Sequence, residues 1–225
     1  MSFPFYVNPE QMTQDKAEFA RKGIARGKSI VTLEYESGVL MVAENPLRLQ
    51  KLGEIYDRIG FAGVGKYNEF DQLRVDGVRA ADLKGYQFSR DDVDARSLAN
   101  RYAQLLGQIF THEMKPMEVE ILVAEVGLTP DDDQLFHILY DGTVLDEKRF
   151  SVLGGDADAI VLRTEEGWQD GMALGVALRL AVNALAGPDR TLNAGDLEVA
   201  VLQRSNGRRC FHRLDDTQVG ELLTA

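Results

Sequence analysis

The 225-residue sequence predicts an α+β fold, a four-layer αββα sandwich in which two antiparallel sheets pack face to face beneath outer helices. Three observations carry that expectation. Strand-length apolar segments come in pairs joined by short turns, as antiparallel neighbours do. Between the pairs stand two pairs of segments with helical period, placed to cover the outer faces. A composition of 44% hydrophobic and 27% charged residues is enough to bury a core at this length.

Taken in order, residues 1 to 9 hold Pro4 and Pro9 with no hydrophobic period, and read as an irregular tail ahead of a single domain spanning 10 to 225. Asn8-Pro9-Glu10 offers a helix cap, a proline at the first helical position and an acidic first turn, so 10 to 26 is predicted helical with Gly27 as its stop. Its apolar residues (Met12, Phe19, Ala20, Ile24) are sparse beside Lys16, Arg21, Lys22 and Arg26, as in a helix that packs outside its own core against a neighbour. Val31, Leu33 and Tyr35 alternate with polar residues, Ser37-Gly38 turns the chain, and 39 to 43 is apolar on both faces, a hairpin with a central second strand. A second strand pair is expected at 51 to 56 and 59 to 64.

The period then changes. Leu98, Tyr102, Leu105, Leu106, Ile109 and Phe110 mark a helix over 91 to 112, and a weaker one interrupted by Gly77 covers 67 to 83. Strands return at 118 to 126, 134 to 140 and 144 to 153, with a turn at Asp141-Gly142. Helices follow at 155 to 166 and 170 to 186, then strands at 197 to 203 and 209 to 214 and a short helix to Leu223.

Several functions are excluded by composition. With 25 Lys+Arg against 36 Asp+Glu the formal charge is −11, which repels phosphate backbones, so no nucleic-acid partner is expected. No segment approaches the roughly 18 uninterrupted apolar residues of a membrane span, and the start shows no secretion signal, so a cytoplasmic protein is expected. One cysteine, Cys210, leaves no disulfide framework.

Candidate chemistry is thin. His112, His137 and His212 share no metal-ligand spacing with one another or with Cys210, so no metal and no cofactor is expected. Gly60 to Gly65 lacks the spacing of a phosphate loop and falls in a strand, where close packing is the expected role. Asp131-Asp132-Asp133 reads as a solvated turn, and Cys210 as a buried thiol with His212 on the same strand face. No Gly-x-Ser-x-Gly elbow is present. The residues alone therefore show no assembled catalytic site.

The segments Glu18 to Ser29 and Gly38 to Pro46 resemble the first helix and hairpin of actinobacterial proteasome α subunits. The likeness continues through Leu49-Gln50-Lys51-Leu52, Glu54 to Arg58, Gly65 to Asp71, Leu98-Ala99-Asn100, Lys115-Pro116, Tyr140-Asp141-Gly142 and Gly154-Gly155. It implies the N-terminal-nucleophile hydrolase-like sandwich. Catalytic β subunits of that family use a threonine freed at the N-terminus, its own amine serving as base. Aligned on that pattern, this chain has Lys28 at the threonine position, Ser29 next and Glu44 near the supporting acid, with no removable propeptide ahead of them. The resemblance thus implies a non-catalytic chain, retained uncleaved, in a complex of threonine-type endopeptidase.

It further implies that seven copies form an outer ring on rings of catalytic β subunits, admitting unfolded protein through a gated pore. The gate would be Ser2, Phe3, Pro4, Phe5, Tyr6, Val7 and Asn8, although the Tyr-Asp-Arg gate motif of archaeal and eukaryotic relatives is absent. Hexameric ring ATPases or other activators would insert their C-termini between adjacent copies. Lys51 corresponds to the lysine that receives the terminal carboxylate, with Gly65, Lys66 and Tyr67 as a further wall. In actinobacteria the substrates implied are proteins tagged with a small ubiquitin-like modifier. The competing expectation is a self-processing N-terminal-nucleophile hydrolase, a β-type subunit or relative, with Ser29 as the nearest nucleophile.

Overall fold

The computed structural model describes residues 8–224. Helix α1 (Pro9–Ile24) leads into strands β1 (Ile30–Tyr35), β2 (Gly38–Glu44), β3 (Leu52–Tyr56) and β4 (Ile59–Gly65). Helices α2 (Tyr67–Gln87) and α3 (Ala95–His112) follow, then β5 (Val119–Glu125), β6 (Gln134–Ile138), β7 (Val144–Glu147) and β8 (Phe150–Leu153). The chain closes with α4 (Ala157–Gly167), α5 (Leu174–Ala186), β9 (Leu197–Gln203), β10 (Phe211–Leu214) and α6 (Asp216–Thr224).

The strands form two five-stranded antiparallel sheets, ordered β10-β9-β2-β1-β8 and β3-β4-β5-β6-β7. Alternation along each strand assigns its side chains to layers. On β2, Val39, Met41 and Ala43 face the second sheet, where they meet Ala62, Val64, Leu122 and Ala124, while Leu40 and Val42 face α4 and α5. On β5, Ile121 and Val123 pack with Phe61 beneath α2 and α3. Both central strands are therefore apolar on both faces, as the run 39 to 43 requires. Full burial of one such Leu or Phe contributes about 1.5–3 kcal/mol, and the largest fully buried side chains, Tyr102, Phe61, Phe70 and Phe136, all belong to the layer under α2 and α3.

The predicted sandwich is the one observed, with differences that have local causes. The expected strand 144 to 153 is two strands in different sheets, because Arg149 at φ 73 redirects the chain from the edge of one sheet to the edge of the other. The helix expected from 91 begins at Ala95, where Asp94 caps it by accepting from Ser97 N at 2.7 Å. Gly77 does not interrupt α2, which runs unbroken past it. Helix α1 does reach the core: Ala20, Gly23 and Ile24 are buried, two of them between the sheets. Its cations are tied to the body as well, Lys16 Nζ donating to Phe110 O and Arg21 Nε to Tyr140 Oη, each at 3.0 Å.

Two side-chain expectations are corrected. Asp133 is no solvated turn residue; it is 4% exposed, accepts from Gly127 N and forms a paired ion bridge with Arg204 at 2.8 and 2.9 Å. Cys210 is buried, as expected, yet it precedes β10 rather than lying on it. The two-residue alternation therefore does not apply, and His212 points outward beside Asn206.

Candidate functional site

Strand β2 ends at Glu44, and a short connection carries the chain through Asn45 and Lys51 into β3. The Lys51 ammonium lies in the end of the sandwich, where it donates to the carbonyls of Lys28 at 2.6 Å and Glu44 at 3.1 Å. Two of its three protons are committed among the described residues, leaving one for a ligand. The residue is 6% exposed. Burial lowers the Lys51 pKa to about 8; Glu198 and then Glu44 oppose that shift, and Lys28 adds to it.

Lys51 borders a cavity of about 720 Å³ whose other walls include Gly65, Lys66 and Tyr67 from the β4–α2 turn, Gly23 near the end of α1 and Arg26, Gly27 and Lys28 just after it. The structure thus brings together all four residues singled out for one pocket. Gly65 is required at its place: at φ +108, an added Cβ would lie 1.9 Å from Glu118 O. That approach lets Lys66 N donate to Glu118 O at 2.9 Å. Glu69, one turn into α2, accepts from Glu118 N at 2.7 Å and from Lys115 Nζ at 3.0 Å. Burial would raise Glu69, but the Glu118 amide and Lys115 outweigh it and hold the carboxyl below its ordinary value. Tyr67 is pinned edge-on to Phe70, with ring centroids 5.2 Å apart.

Beside this cavity, Glu44 is a nearly buried carboxylate between cations. Its Oε1 is 2.9 Å from Lys28 Nζ and 2.9 Å from Arg190 Nη1. Burial pushes Glu44 up, and the hydrogen bonds from Arg190 and Lys28 more than reverse the effect, leaving it ionised and below its usual range. Lys28 follows α1 directly and has a peptide bond on its amine side, as does the buried Ser29. The arrangement pairs Glu44 with two cations, and in the uncut chain neither Lys28 nor Ser29 has a free α-amine.

The remaining candidates stay apart. His112 ends α3 beside Gln108 O, His137 faces the inter-sheet layer 3.7 Å from Glu120, and His212 is on the surface. Among the described residues no three His, Cys, Asp or Glu side chains gather as a metal site, and no helix is long and apolar enough to cross a membrane. Gly60 and Gly63 serve close packing, with an added Cβ falling 2.8 Å from Met41 Cε and 2.8 Å from Phe70 Cγ. Of the gate positions, Ser2 to Val7 lie outside the described residues; Asn8 caps α1 by accepting from Glu10 N at 3.1 Å.

Residues 24–202 match the family model described as proteasome subunit. The chain belongs to that family. Within it the similarity is to α-type members: "Proteasome subunit alpha" of Acidimicrobium ferrooxidans is 59% identical, over 99% of this chain and 97% of the relative. The proteins of the same name from Xylanimonas cellulosilytica and Sanguibacter keddieii are 55% and 53% identical, over 95% and 100% of this chain and 93% and 91% of their own lengths. The two-sheet sandwich agrees with the proteasome fold, and the α-type resemblance noted on scattered motifs extends over nearly the full length. Sequence reasoning missed Asn45, in the same connection as Lys51, and Arg190 and Glu198, which reach this site from distant parts of the chain; Asn45 and Glu198 left only the signal of a polar residue beside an apolar run, and Arg190 left none.

Proposed function

We propose that the chain is the non-catalytic α subunit of a cytoplasmic proteasome core, forming a seven-membered outer ring that caps threonine-type β subunits, admits unfolded protein and docks the C-terminal carboxylates of a ring ATPase or another activator. Residues 1 to 9 form its gate segment and 10 to 225 one domain. The observation that carries the reading is the meeting of Lys51, Gly65, Lys66 and Tyr67 around one cavity with an ammonium proton to spare. A terminal carboxylate accepting from a buried ammonium gains a charge-assisted bond. The ring has a matching surface: Met12 and Phe19 on α1 and Met114 after α3 border an open groove while 48%, 46% and 95% exposed, a set of apolar side chains suited to an adjacent copy.

Native mass spectrometry of this chain co-expressed with the β-type subunit of the same genome tests the assembly. A particle of about 28 subunits, with this chain at full length and β shortened, is the expected result. A copy of this chain cut ahead of Ser29, or a monomer indifferent to β, would overturn it in favour of the self-processing hydrolase.

The pH dependence has a defined sign. Docking needs Lys51 charged, so affinity for a carboxylate-ended peptide should be flat below pH about 8 and fall above it, approaching tenfold per pH unit, in an anisotropy titration. For the fold the sign reverses. Between about 8 and the unfolded value of about 10.4, the unfolded chain holds the extra proton, so this group's contribution to stability rises with pH across that window.

A further inference from the structure

The connection that carries Lys51 separates two cavities, and Asn45 and Leu49 border both. It is braced from the side away from the docking cavity. Asn45 Oδ1 accepts from Leu49 N at 3.0 Å, and its Nδ2 donates to Leu49 O and, at 2.9 Å, to Glu198 Oε2. The same Glu198 carboxylate accepts from Lys51 N at 2.9 Å and Leu52 N at 3.3 Å, and from Arg213. Within the braced segment Arg48 stands at φ 53, a conformation that an L residue adopts only when its surroundings hold it there.

We propose that Glu198 is the positioning residue of the carboxylate-docking site: it fixes the Lys51 backbone through the Lys51 and Leu52 amides and Asn45, and sets a negative charge against the backbone of the residue that carries the ammonium. It touches no docked ligand and acts through Lys51. This rests on the docking reading above.

The charge arrangement supports the role. Toward Lys51 the end of α1 and its link to β1 present Arg26 and Lys28, β2 presents Glu44, the turn into α2 presents Lys66, and Glu118 precedes β5. Arg190 reaches Lys51 only through Glu44, and Arg213 only through Glu198. Burial is the main force against a charged Lys51, and Glu198 is the largest that opposes it, ahead of Glu44. An amide at 198 carries no charge and keeps one acceptor oxygen, its NH2 replacing the other, although both Glu198 oxygens accept here: Oε2 from Asn45 and Lys51 N, Oε1 from Leu52 N and Arg213. Glu198→Asp keeps the charge on a shorter stem, whereas Glu198→Gln removes the charge together with one acceptor oxygen, so the position of the pH transition, and not affinity alone, reads the charge.

The test uses the assembled particle with its β subunits, and a fluorescent peptide of the last ten residues of the ring ATPase from the same genome, with a free or an amidated C-terminus. Binding is followed by anisotropy across about pH 6.5 to 9.5, a window centred on the Lys51 transition. Glu198→Gln should move the alkaline midpoint down by roughly half a unit to one unit, and so weaken the free-acid peptide roughly 1.5- to threefold near pH 7.5 and roughly threefold to tenfold near pH 9.5. Glu198→Asp should keep the midpoint. Arg213→Met, which removes the cation facing Glu198, should move it up and serves if the Gln variant does not assemble. A Glu198→Gln particle that binds more weakly with an unmoved midpoint would overturn the proposal and leave Glu198 a general brace. If the wild-type particle binds free and amidated peptides alike, the docking reading itself fails and the proposal falls with it.

Discussion

Lys51→Ala should weaken docking of a carboxylate-ended activator peptide by about 2–4 kcal/mol, roughly 30- to 900-fold, the range for removing one partner of a desolvated charge pair. Two effects must be separated. The ammonium also satisfies the carbonyls of Lys28 and Glu44, so its loss loosens the junction between α1 and β1. Lys51→Met retains most of the buried stem without the charge. If charge recognition dominates, both variants lose the free-acid peptide to the same degree, and neither changes its weak binding of the amidated form. Wild-type affinity in both variants would remove Lys51 from the site. A loss in Ala alone would reassign it to packing.

Gly77→Ala should destabilise the chain by about 2–3 kcal/mol even though alanine is the better helix former by about 1 kcal/mol. An added Cβ would sit 1.8 Å from Tyr102 Oη and 3.3 Å from Ile55 Cδ1. Tyr102 is fully buried and its hydroxyl donates to Leu73 O at 3.0 Å, so it cannot yield without vacating that bond. Overpacking costs about 1–3 kcal/mol and an orphaned acceptor about as much again. At about 2–4 °C per kcal/mol for a chain of this size, the thermal midpoint should fall by roughly 4–12 °C. Pairing the change with Tyr102→Phe, which deletes the colliding oxygen, should recover part of the loss. A Gly77→Ala chain as stable as the parent would mean that α2 and α3 sit farther apart than described.

These two sites also show what the sequence could and could not disclose. The hairpin at Ser37-Gly38 was legible because both signals are local: alternation up to Tyr35, then a residue free to adopt φ 148 where a Cβ would meet Leu202 O. Gly77 was visible as an anomaly but misread, since the reason for it is a tyrosine on another helix. The break at Lys148-Arg149 left no trace. Neither residue is a usual turn former, and the left-handed Arg149 is held by partners on β1, its amide donating to Glu34 Oε1 and its carbonyl accepting from Glu34 N. Lys51 was found through resemblance alone. An isolated lysine in Leu49-Gln50-Lys51-Leu52 carries no sign of burial, and the groups that bury and charge it come from residues 28, 44 and 198.

The first helix has a further consequence. Ala20 and Ile24 stop the open end of the space between the sheets, and the turn before α4 fits against the same segment so closely that a Cβ on Gly155 would lie 2.8 Å from Ala25 Cα. Scission ahead of Lys28 would free an amine where a nucleophile's base is wanted, and would also cut the covalent tie between this stopper and the sheet it closes. A threonine placed at 28 would therefore have to be freed without displacing Ala20 and Ile24, which pack between the sheets.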